Sequence, residues 1–374
     1  MPQAILHLDT ESTWRGGENQ LRLLLEHAPS KDWLWHVAAP PASEVIRRLS
    51  SLVQTVAVPM RGLALLTAAW KLAAYVRRNK IVLIDCQSSR AHNLGLLIKL
   101  LVPSCRLVVH RRVDYPPGRG WIHRKKYLSS RIDAFVCISE AIAQVLKDYG
   151  VPETRLHIVR SAVDPKPFEQ LKAQDWRAHW RSEWNIGATV PIIGNVAYLT
   201  EQKDHATLLK ALGRLKQEGI AFFCYIAGDG PLAPSLKALA QELNLGPDKL
   251  RFLGVRRDVP ELLAATDIFA LSSQDEGLGT SLLDATHSSC ALVATAAGGI
   301  PEIVEAEVSG LLVPVGDATT FADQLRRVLL DPSLRQRLVA GARKRAIERF
   351  SLEAMVEGNL KLYTRLLSPS RTSE

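Results

Sequence analysis

The chain has 374 residues, of which 47% are hydrophobic and 23% charged. This length exceeds what one hydrophobic core usually organises, and the composition excludes a disordered chain, so we expect about two domains. The net charge of +9 resides in the first half, because residues 1–170 carry 24 Lys and Arg against 14 Asp and Glu, whereas residues 171–374 carry 23 against 24. This imbalance indicates either an anionic ligand or surface for the first half or a solvated basic face.

The beginning of the chain lacks the basic and long apolar regions of a secretory signal, so we expect a cytoplasmic location. No apolar run reaches the roughly 18 to 20 residues that span a bilayer. The longest run, residues 63–76, has basic ends, which favours a helix packed in a domain over one lying on a membrane. Five scattered cysteines without CxxC spacing predict reduced, buried side chains and no metal site: Cys86, Cys105, Cys137, Cys224 and Cys290.

Short runs of β-branched and aliphatic residues alternate with helical stretches along the chain, which is typical of βαβ units with parallel sheets. The predicted strands of the first half cover residues 4–8, 35–39, 53–58, 81–85, 106–110 and 134–138. Those of the second half cover residues 191–197, 221–227, 250–253, 268–271, 291–295 and 310–313. We therefore predict an α/β protein with Rossmann-like domains at residues 1–165 and 191–350, a connection at 166–190, and a helix and tail at 351–374.

In the first half, the glycine pair Gly16-Gly17 lies between the first strand and the first helix, and His110 closes the fifth strand. Either feature alone is compatible with a purely structural role. A basic and aromatic loop follows the fifth strand: Arg111, Arg112, Tyr115, Arg119, Trp121, Arg124, Lys125, Lys126, Tyr127 and Arg131. Guanidinium groups and aromatic rings together suit a phosphorylated glycan or an anionic lipid headgroup. Because no nucleic-acid-binding motif accompanies the basic half, we expect no nucleic-acid partner.

In the second half, a strand, a glycine-containing loop and a helix follow one another over residues 268–285. A helix that begins near Gly279 would direct free N–H groups and the positive end of its dipole toward a phosphate at the carboxyl end of the sheet. Asp284 lies one turn beyond Thr280, where its carboxylate could accept hydrogen bonds from a ribose. Lys203 follows an earlier strand and could neutralise a departing phosphate.

The pair Glu276 and Asp284, the segments 294–304 and 309–313, and the glycine turn 228–231 resemble, in order and spacing, the retaining glycosyltransferases of family 4 with the GT-B fold. The resemblance covers nearly the whole chain and is strongest over residues 196–315. The chain departs from the family pattern at two positions. Asp284 stands where the family has Glu, and Tyr198 stands where it usually has Arg.

The resemblance implies two Rossmann-like domains whose parallel sheets face a central cleft, and a C-terminal helix that can cross back to the first domain. It implies catalytic roles for Glu276, His110 and Lys203. It implies that the donor is a nucleotide sugar, UDP-sugar being preferred, with neither a metal ion nor another cofactor. The implied donor contacts are Gly16, Gly17, Tyr198, Lys203, Gly228, Gly230, Arg256, Gly277, Leu278, Gly279, Thr280 and Asp284.

We therefore expect a retaining, metal-independent glycosyltransferase that acts on a cell-envelope glycan or lipid-linked acceptor, such as a lipopolysaccharide core or a polysaccharide. The basic first half would hold the anionic or phosphorylated acceptor and contact the inner face of an anionic membrane. Two alternatives remain at this point. A GT-B nucleotide-sugar epimerase would rearrange its donor without an acceptor. The other alternative is a degenerate nucleotide-sugar-binding protein, because Tyr198 and Asp284 replace the residues that the family pattern has at these positions.

Overall fold

The computed structural model describes residues 2–29, 31–62, 64–173 and 175–368. These residues form two compact units. The N-terminal unit contains the chain up to Ser161 together with the segment that begins at Leu352, and the C-terminal unit is Ala162–Ser351.

The described residues of the N-terminal unit form a seven-stranded sheet in the order β3-β2-β1-β4-β5-β6-β7, with every neighbouring pair parallel. Its strands are β1 (Gln3–Leu8), β2 (Trp33–Ala39), β3 (Gln54–Ala57), β4 (Ile81–Cys86), β5 (Arg106–Arg111), β6 (Ala134–Cys137) and β7 (Leu156–Ile158). Its first six helices are α1 (Gly16–His27), α2 (Glu44–Leu49), α3 (Ala64–Arg78), α4 (Ser89–Leu101), α5 (Trp121–Tyr127) and α6 (Glu140–Asp148).

The C-terminal unit has, within the described ranges, a six-stranded parallel sheet in the order β10-β9-β8-β11-β12-β13. Its strands are β8 (Ile192–Val196), β9 (Phe223–Ala227), β10 (Leu250–Gly254), β11 (Ile268–Leu271), β12 (Ala291–Thr295) and β13 (Leu311–Val313). Its helices are α7 (Lys166–Glu169), α8 (Trp176–Trp184), α9 (His205–Gln217), α10 (Ala233–Glu242), α11 (Val259–Ala264), α12 (Thr280–His287), α13 (Ile300–Ile303), α14 (Ala318–Leu330) and α15 (Pro332–Arg349). The final helix, α16 (Leu352–Leu367), belongs to the N-terminal unit.

Both sheets have a strand order that reverses next to their first strand, between β1 and β4 in one and between β8 and β11 in the other. In open parallel sheets, ligands bind beside the carboxyl ends of the strands at such a reversal. The central strands are almost fully buried, because helices cover both faces of a parallel sheet, whereas the edge strands β3, β7 and β10 are partly exposed. The loops that follow these four strands are therefore the places to look for a functional site.

Each of the twelve predicted strands corresponds to an observed one, and their bounds differ by at most a few residues. The prediction missed β7, a three-residue edge strand with His157 at its centre. So short a strand leaves no periodic pattern in the sequence.

The segment 166–190, which we predicted to connect the domains, contains α8. Trp180 and Trp184 of this helix are buried and pack with Phe223 and Tyr225 of β9 in a single apolar cluster. The ring of Trp184 stacks on Phe223 at 5.3 Å. The segment is therefore grouped with the C-terminal unit, because its aromatic side chains contribute to that unit's core.

The C-terminal helix α16 contacts α1 and β4 of the N-terminal unit. The Arg106 Nε donates a hydrogen bond to the Leu366 carbonyl at 3.0 Å. Tyr363 is fully buried. The end of the chain therefore completes the core of the unit in which the chain begins.

The predicted state of the cysteines agrees with the structure, since all five are buried and unpaired. Across the described residues, no helix combines the length and the apolar character needed to cross a bilayer.

Candidate active site

Lys203 and Glu276 converge at the carboxyl ends of the neighbouring strands β8 and β11. Lys203 Nζ donates a hydrogen bond to Glu276 Oε2, and the hydroxyl of Ser273 donates to the same oxygen at 3.2 Å. The two charged side chains are 24% and 14% exposed, respectively. The pair therefore lies at an accessible edge of the sheet and not in a closed core.

Hydroxyl groups after β11 hold the loops that carry this pair. Ser272 Oγ donates to the carbonyls of Lys203 at 3.1 Å and Asp204 at 2.8 Å. Thr295 Oγ1 at the end of β12 donates to the Ser273 carbonyl at 2.6 Å. The ion pair is thus fixed by its backbone, which limits the reorganisation needed when a ligand binds.

Helix α12 begins at the predicted position, with Gly279 as its N-cap. Gly279 has φ +92°, and a Cβ there would lie 3.4 Å from Glu276 Cγ and 3.2 Å from Leu282 Cδ1, so the backbone requires glycine. Within the described residues, no side chain caps this helix. The N–H groups of Thr280 and Ser281 are therefore available to an anion, whereas that of Leu282 donates to the Gly279 carbonyl at 2.9 Å. Gly277 and Leu278, predicted donor contacts in the same loop, are buried.

Asp284 lies one turn into α12 and is half-buried. Burial raises the pKa of its carboxyl to about 7. Over the described part of the chain, its side-chain oxygens make no hydrogen bond, so they could accept hydrogen bonds from a ligand's hydroxyl groups. Such bonds would favour the ionised carboxylate.

The glycine turn after β9 packs against the loop after β8. A Cβ at Gly228, where φ is +145°, would lie 1.9 Å from the Ala197 carbonyl oxygen, and one at Gly230 would lie 2.4 Å from that of Leu199. Both positions therefore require glycine. The Leu199 N–H also donates to the Asp229 carbonyl at 2.9 Å, so the turn supports the loop that leads to Lys203.

Two other predicted donor contacts have different environments. The side chain of Arg256 forms a two-point ion pair with Asp258, with Nε 2.8 Å from Oδ1, and lies 5.4 Å from the ring of Trp180. Tyr198 is 55% exposed on the loop after β8. The structure thus engages the Arg256 guanidinium within the protein, and the donor contacts of Arg256 and Tyr198 stay predictions.

In the N-terminal unit, His110 is the next-to-last residue of β5 and lies beside a buried acid that the sequence analysis missed. The Nε2 of His110 is 3.1 Å from Asp85 Oδ2, which also lies 3.3 Å from His7 Nδ1 and accepts a hydrogen bond from the Tyr363 hydroxyl. Burial would raise the pKa of Asp85, but His110 and His7 outweigh it and hold this pKa below its usual range. Burial lowers the pKa of His110 despite the opposing effect of Asp85. A neutral His110 that donates from Nε2 would keep Nδ1 as an acceptor for a sugar hydroxyl.

Arg112 lies over the glycine pair that begins α1. A Cβ at Gly17 would lie only 3.0 Å from Arg112 Nε, whereas one at Gly16 would meet nothing within 4 Å. The guanidinium donates a hydrogen bond to Gln87 Oε1 after β4. The glycine at position 17 thus lets a cation approach this loop, an arrangement that the sequence did not indicate.

Asp9, directly after β1, is a second buried acid that sequence reasoning missed. Burial raises the pKa of its carboxyl to about 7. Its Oδ1 accepts from the Glu11 N–H at 2.9 Å, and its Oδ2 has no hydrogen-bond partner among the described residues. An acidic residue immediately after a buried strand was the signal available in the sequence.

The structure separates the basic loop after β5 into buried and exposed parts. Arg111 is 7% exposed and lies between the rings of Tyr115 and Tyr127. Trp121 is 67% exposed, with Lys125 Nζ 4.8 Å from its ring. Only part of the loop therefore faces solvent. The described residues contain no group of three or more His, Cys, Asp or Glu placed to hold a metal ion.

Two Rossmann-like units, each with charged groups beside the carboxyl ends of strands at the order reversal, define an α/β protein of the class that binds ligands at this edge of the sheet. Residues 177–345 match the family model described as Glycosyl transferases group 1, and residues 14–166 match the model described as Glycosyltransferase Family 4. The chain belongs to the family 4 glycosyltransferases, which have the GT-B fold.

Characterised relatives extend the comparison. The chain is 28% identical over 254 residues to the lipopolysaccharide core biosynthesis glycosyltransferase LpsE of Rhizobium meliloti, a match that covers 68% of each chain. It is 38% identical over 270 residues to the D-inositol 3-phosphate glycosyltransferase of Saccharomonospora viridis, covering 69% of this chain and 61% of that one. The matches therefore span about two thirds of the length of these relatives.

Solved structures share the fold over almost the whole chain. A glycosyltransferase from Rickettsia africae superimposes with a TM-score of 0.87 at 19% identity, covering 99% of this chain and 100% of that one. HepE of Anabaena, in complex with UDP and glucose, gives a TM-score of 0.83 at 18% identity. The superposition covers 97% of this chain and 100% of the HepE chain. These likenesses confirm the predicted GT-B fold.

Proposed function

We propose that this glycosyltransferase moves a sugar, with retention of anomeric configuration and without a metal ion, from a UDP-sugar to an anionic cell-envelope glycan or lipid-linked acceptor. The observation that carries the proposal is the Lys203–Glu276 pair beside the uncapped N-terminus of α12. A cation, a carboxylate and free N–H groups are thereby combined at one edge of the sheet.

The donor binds in the C-terminal unit in this proposal. Lys203 and the N–H groups of α12 stabilise the negative charge that grows on the departing diphosphate. Asp284 accepts hydrogen bonds from the ribose, and Glu276 contacts the donor sugar, where positive charge develops. The likeness to HepE, which was crystallised with UDP and glucose, supports UDP as the nucleotide.

In the structure described here, Lys203 pairs with Glu276. When the donor binds, the diphosphate competes for the ammonium group, and the carboxylate is released toward the sugar. The lysine cation and the helix N-terminus supply the positive charge that a divalent metal ion would otherwise provide. This supports the metal-independent form of the proposal.

A thermal-shift panel of UDP-, GDP-, ADP- and CMP-sugars tests the donor, because a ligand stabilises the folded chain in proportion to the logarithm of its concentration over its dissociation constant. We expect UDP-sugars to raise the Tm most. No shift with any of the four classes would contradict nucleotide-sugar binding.

Transfer is tested with Glu276→Ala, for which we expect donor binding with loss of donor hydrolysis and transfer. Binding without any turnover by the unaltered chain would favour a degenerate binding protein. Rearrangement of the donor without a transfer product would favour an epimerase, an alternative that finds no support among the relatives described above. The anomeric configuration of the product, read by NMR, tests retention, and activity in excess EDTA tests metal independence.

The acceptor is held by the N-terminal unit in this proposal. LpsE is named for lipopolysaccharide core biosynthesis, and the relative with 38% identity is named for D-inositol 3-phosphate. Both names agree with the excess of positive charge in residues 1–170. Guanidinium groups suit phosphate because they offer two parallel donors.

We place this activity at the inner face of a membrane, with peripheral contact through α3 and α5. Leu66 and Trp70 of α3 are 58% and 65% exposed, and Trp121 and Ile122 of α5 are 67% and 64% exposed. Neither helix contains an acidic residue. Exposed apolar side chains beside lysine and arginine suit an anionic lipid surface.

Flotation with phosphatidylglycerol vesicles tests the contact. We expect the chain to float with them and not with phosphatidylcholine vesicles, and we expect Trp70→Ser with Trp121→Ser to weaken flotation. Leu330→Ser provides a control, because Leu330 is 63% exposed in the C-terminal unit. Equal flotation of all variants, or none by the unaltered chain, would contradict this part of the proposal.

A further inference from the structure

A pocket of about 390 Å³ lies in the N-terminal unit beside the carboxyl ends of β4 and β5. Its size falls within the roughly 300–1,000 Å³ typical of small-molecule sites. Ser89 at the start of α4, His123 of α5 and His110 of β5 are among the residues that line it. Among the described residues that line it, Arg111 and Arg112 are charged and none is acidic. The side chains that line the pocket therefore carry a net positive charge.

Two buried polar side chains that line this pocket have atoms that lack a well-formed hydrogen bond within the described residues. His92 is 1% exposed, and neither of its ring nitrogens makes a hydrogen bond of good geometry among the described residues, although the Lys126 backbone is close enough to affect the pKa of the ring. The Arg111 Nε, in a side chain that is 7% exposed, also has none there. Both residues line the pocket. Because buried polar groups are almost always hydrogen-bonded, these atoms indicate a ligand that supplies the missing partners.

Arg111 is held in place before any ligand binds. Its Nη1 donates to the Tyr127 hydroxyl at 2.8 Å, its Nη2 donates to the Tyr115 carbonyl, and the two rings lie 5.5 Å and 5.3 Å from its guanidinium carbon. These contacts use two of the five guanidinium N–H groups, and the Nε–H is among the three that remain. A fixed cation of this kind binds an anion with little loss of side-chain entropy.

The neighbouring Lys126 adds a further cation beside the residues that line the pocket. Its Nζ donates to the Ser89 carbonyl at 2.7 Å. Burial, and then the charge of Arg111, lower the pKa of Lys126 to about 8. An anion in the pocket would offset this repulsion.

We propose that this pocket binds an anionic group, a phosphate or a carboxylate, carried by the acceptor sugar. The inference rests on the proposed function, since it assigns the acceptor's place in the N-terminal unit. Arg111 and Arg112 receive the anion, and His92 exchanges hydrogen bonds with a hydroxyl or an anionic oxygen. His110 also lines this pocket. An acceptor bound there therefore lies next to the residue that the family resemblance implies is near the transferred sugar.

The test measures binding of glucose 6-phosphate, glucuronic acid and glucose to the full chain by calorimetry, without donor. We expect at least one anionic sugar to bind at least about tenfold more tightly than glucose, a difference of about 1.4 kcal/mol. The two anionic probes distinguish a phosphate from a carboxylate. Similar affinities for all three sugars, or no detectable binding of either anionic sugar, would overturn the proposal.

Arg111→Gln should lower the affinity for the anionic sugar at least about tenfold, close to its value for glucose. Arg47→Gln is the matched control, because Arg47 is an exposed residue of α2 that pairs with Glu44. Ser89→Phe fills the pocket from an exposed position and retains Arg111, so it serves where Arg111→Gln fails to fold. Unchanged binding by a folded Arg111→Gln chain, or by Ser89→Phe, would refute the assignment.

Failure of this proposal can be distinguished from failure of the proposed function. If UDP-sugar is hydrolysed in a Glu276-dependent way while the anionic sugars do not bind, only the pocket assignment is wrong. If UDP-sugars neither stabilise the chain nor are hydrolysed, the proposed function itself is wrong.

Discussion

The hydroxyl of Tyr363 donates a hydrogen bond to Asp85 Oδ2, the same atom that lies 3.1 Å from His110 Nε2. Tyr363 comes from α16, at the far end of the chain, and both Tyr363 and Asp85 are fully buried. The C-terminal helix therefore helps to orient the candidate sugar-binding histidine, through Asp85.

We expect Tyr363→Phe to lower kcat several-fold while leaving the donor KM nearly unchanged, because the lost hydrogen bond loosens Asp85 and hence His110. Loss of a buried hydrogen bond to a charged group should also lower the free energy of unfolding by about 1–3 kcal/mol. Steady-state kinetics and urea unfolding measure the two effects. Tyr75→Phe is the control, since Tyr75 OH lies 2.8 Å from His36 Nδ1 in the same unit. Equal kinetic losses in the two variants would show that Tyr363 is merely structural.

We expect Lys203→Met to reduce kcat/KM by about 10²–10³, the range found when one stabilising donor is removed from a transition state. The physical reason is the loss of the cation that would face the departing diphosphate. Steady-state assays with UDP-sugar measure it. Lys237→Met on the exposed face of α10 is the control and should retain activity. A loss below threefold for Lys203→Met would contradict the assigned role.

Asp284→Asn should stabilise the chain at pH 8 while weakening donor binding. The pKa of Asp284 is about 7 in the folded chain, whereas it is about 4 in the unfolded chain. The folded chain therefore binds more protons between these values, so ionising Asp284 costs stability that grows from pH 4 to pH 7 and stays constant above. Asp284→Asn should therefore raise the free energy of unfolding by up to about 4 kcal/mol at pH 8, and this increase should vanish near pH 4.

Urea unfolding of both chains at pH 4.5, 6 and 8 measures this difference, and calorimetry with UDP-sugar measures the donor affinity. Asp248→Asn is the control, because Asp248 is an exposed carboxylate of the same unit. If the difference in free energy of unfolding between Asp284→Asn and the unaltered chain is independent of pH, the prediction is contradicted.

We expect Gly228→Ala to lower the free energy of unfolding by about 2–4 kcal/mol, because the new Cβ would overlap the Ala197 carbonyl and strain the backbone at φ +145°. Donor affinity should also fall, since the loop that leads to Lys203 must shift. Urea unfolding and thermal shift with UDP-sugar measure these effects. Gly187→Ala is the control, because its Cβ would make an ordinary contact at 3.5 Å with Val190. It should change the free energy of unfolding and the donor affinity only slightly. A chain with Gly228→Ala that is as stable as this control would disprove the packing argument.

Local sequence patterns predicted much of the fold and part of the site. Alternating apolar runs located the longer strands, and glycine near residue 279 located the start of α12. The same patterns did not indicate that α8 packs on the C-terminal unit, because burial of Trp180 and Trp184 depends on β9, some forty residues away in the chain. Asp85 and Asp9 escaped notice for a similar reason: an acid after a strand acquires a role only through its spatial neighbours.

The sequence by itself determined where the strands, turns and helix starts lie, because periodicity, glycine and capping act over a few residues. Only the tertiary structure decided which side chains meet. Lys203 and Glu276 are 73 residues apart, and Asp85 and Tyr363 are 278 apart. Such pairs form because strand order and helix packing bring distant loops to one edge of a sheet, and no local pattern in the sequence encodes that arrangement.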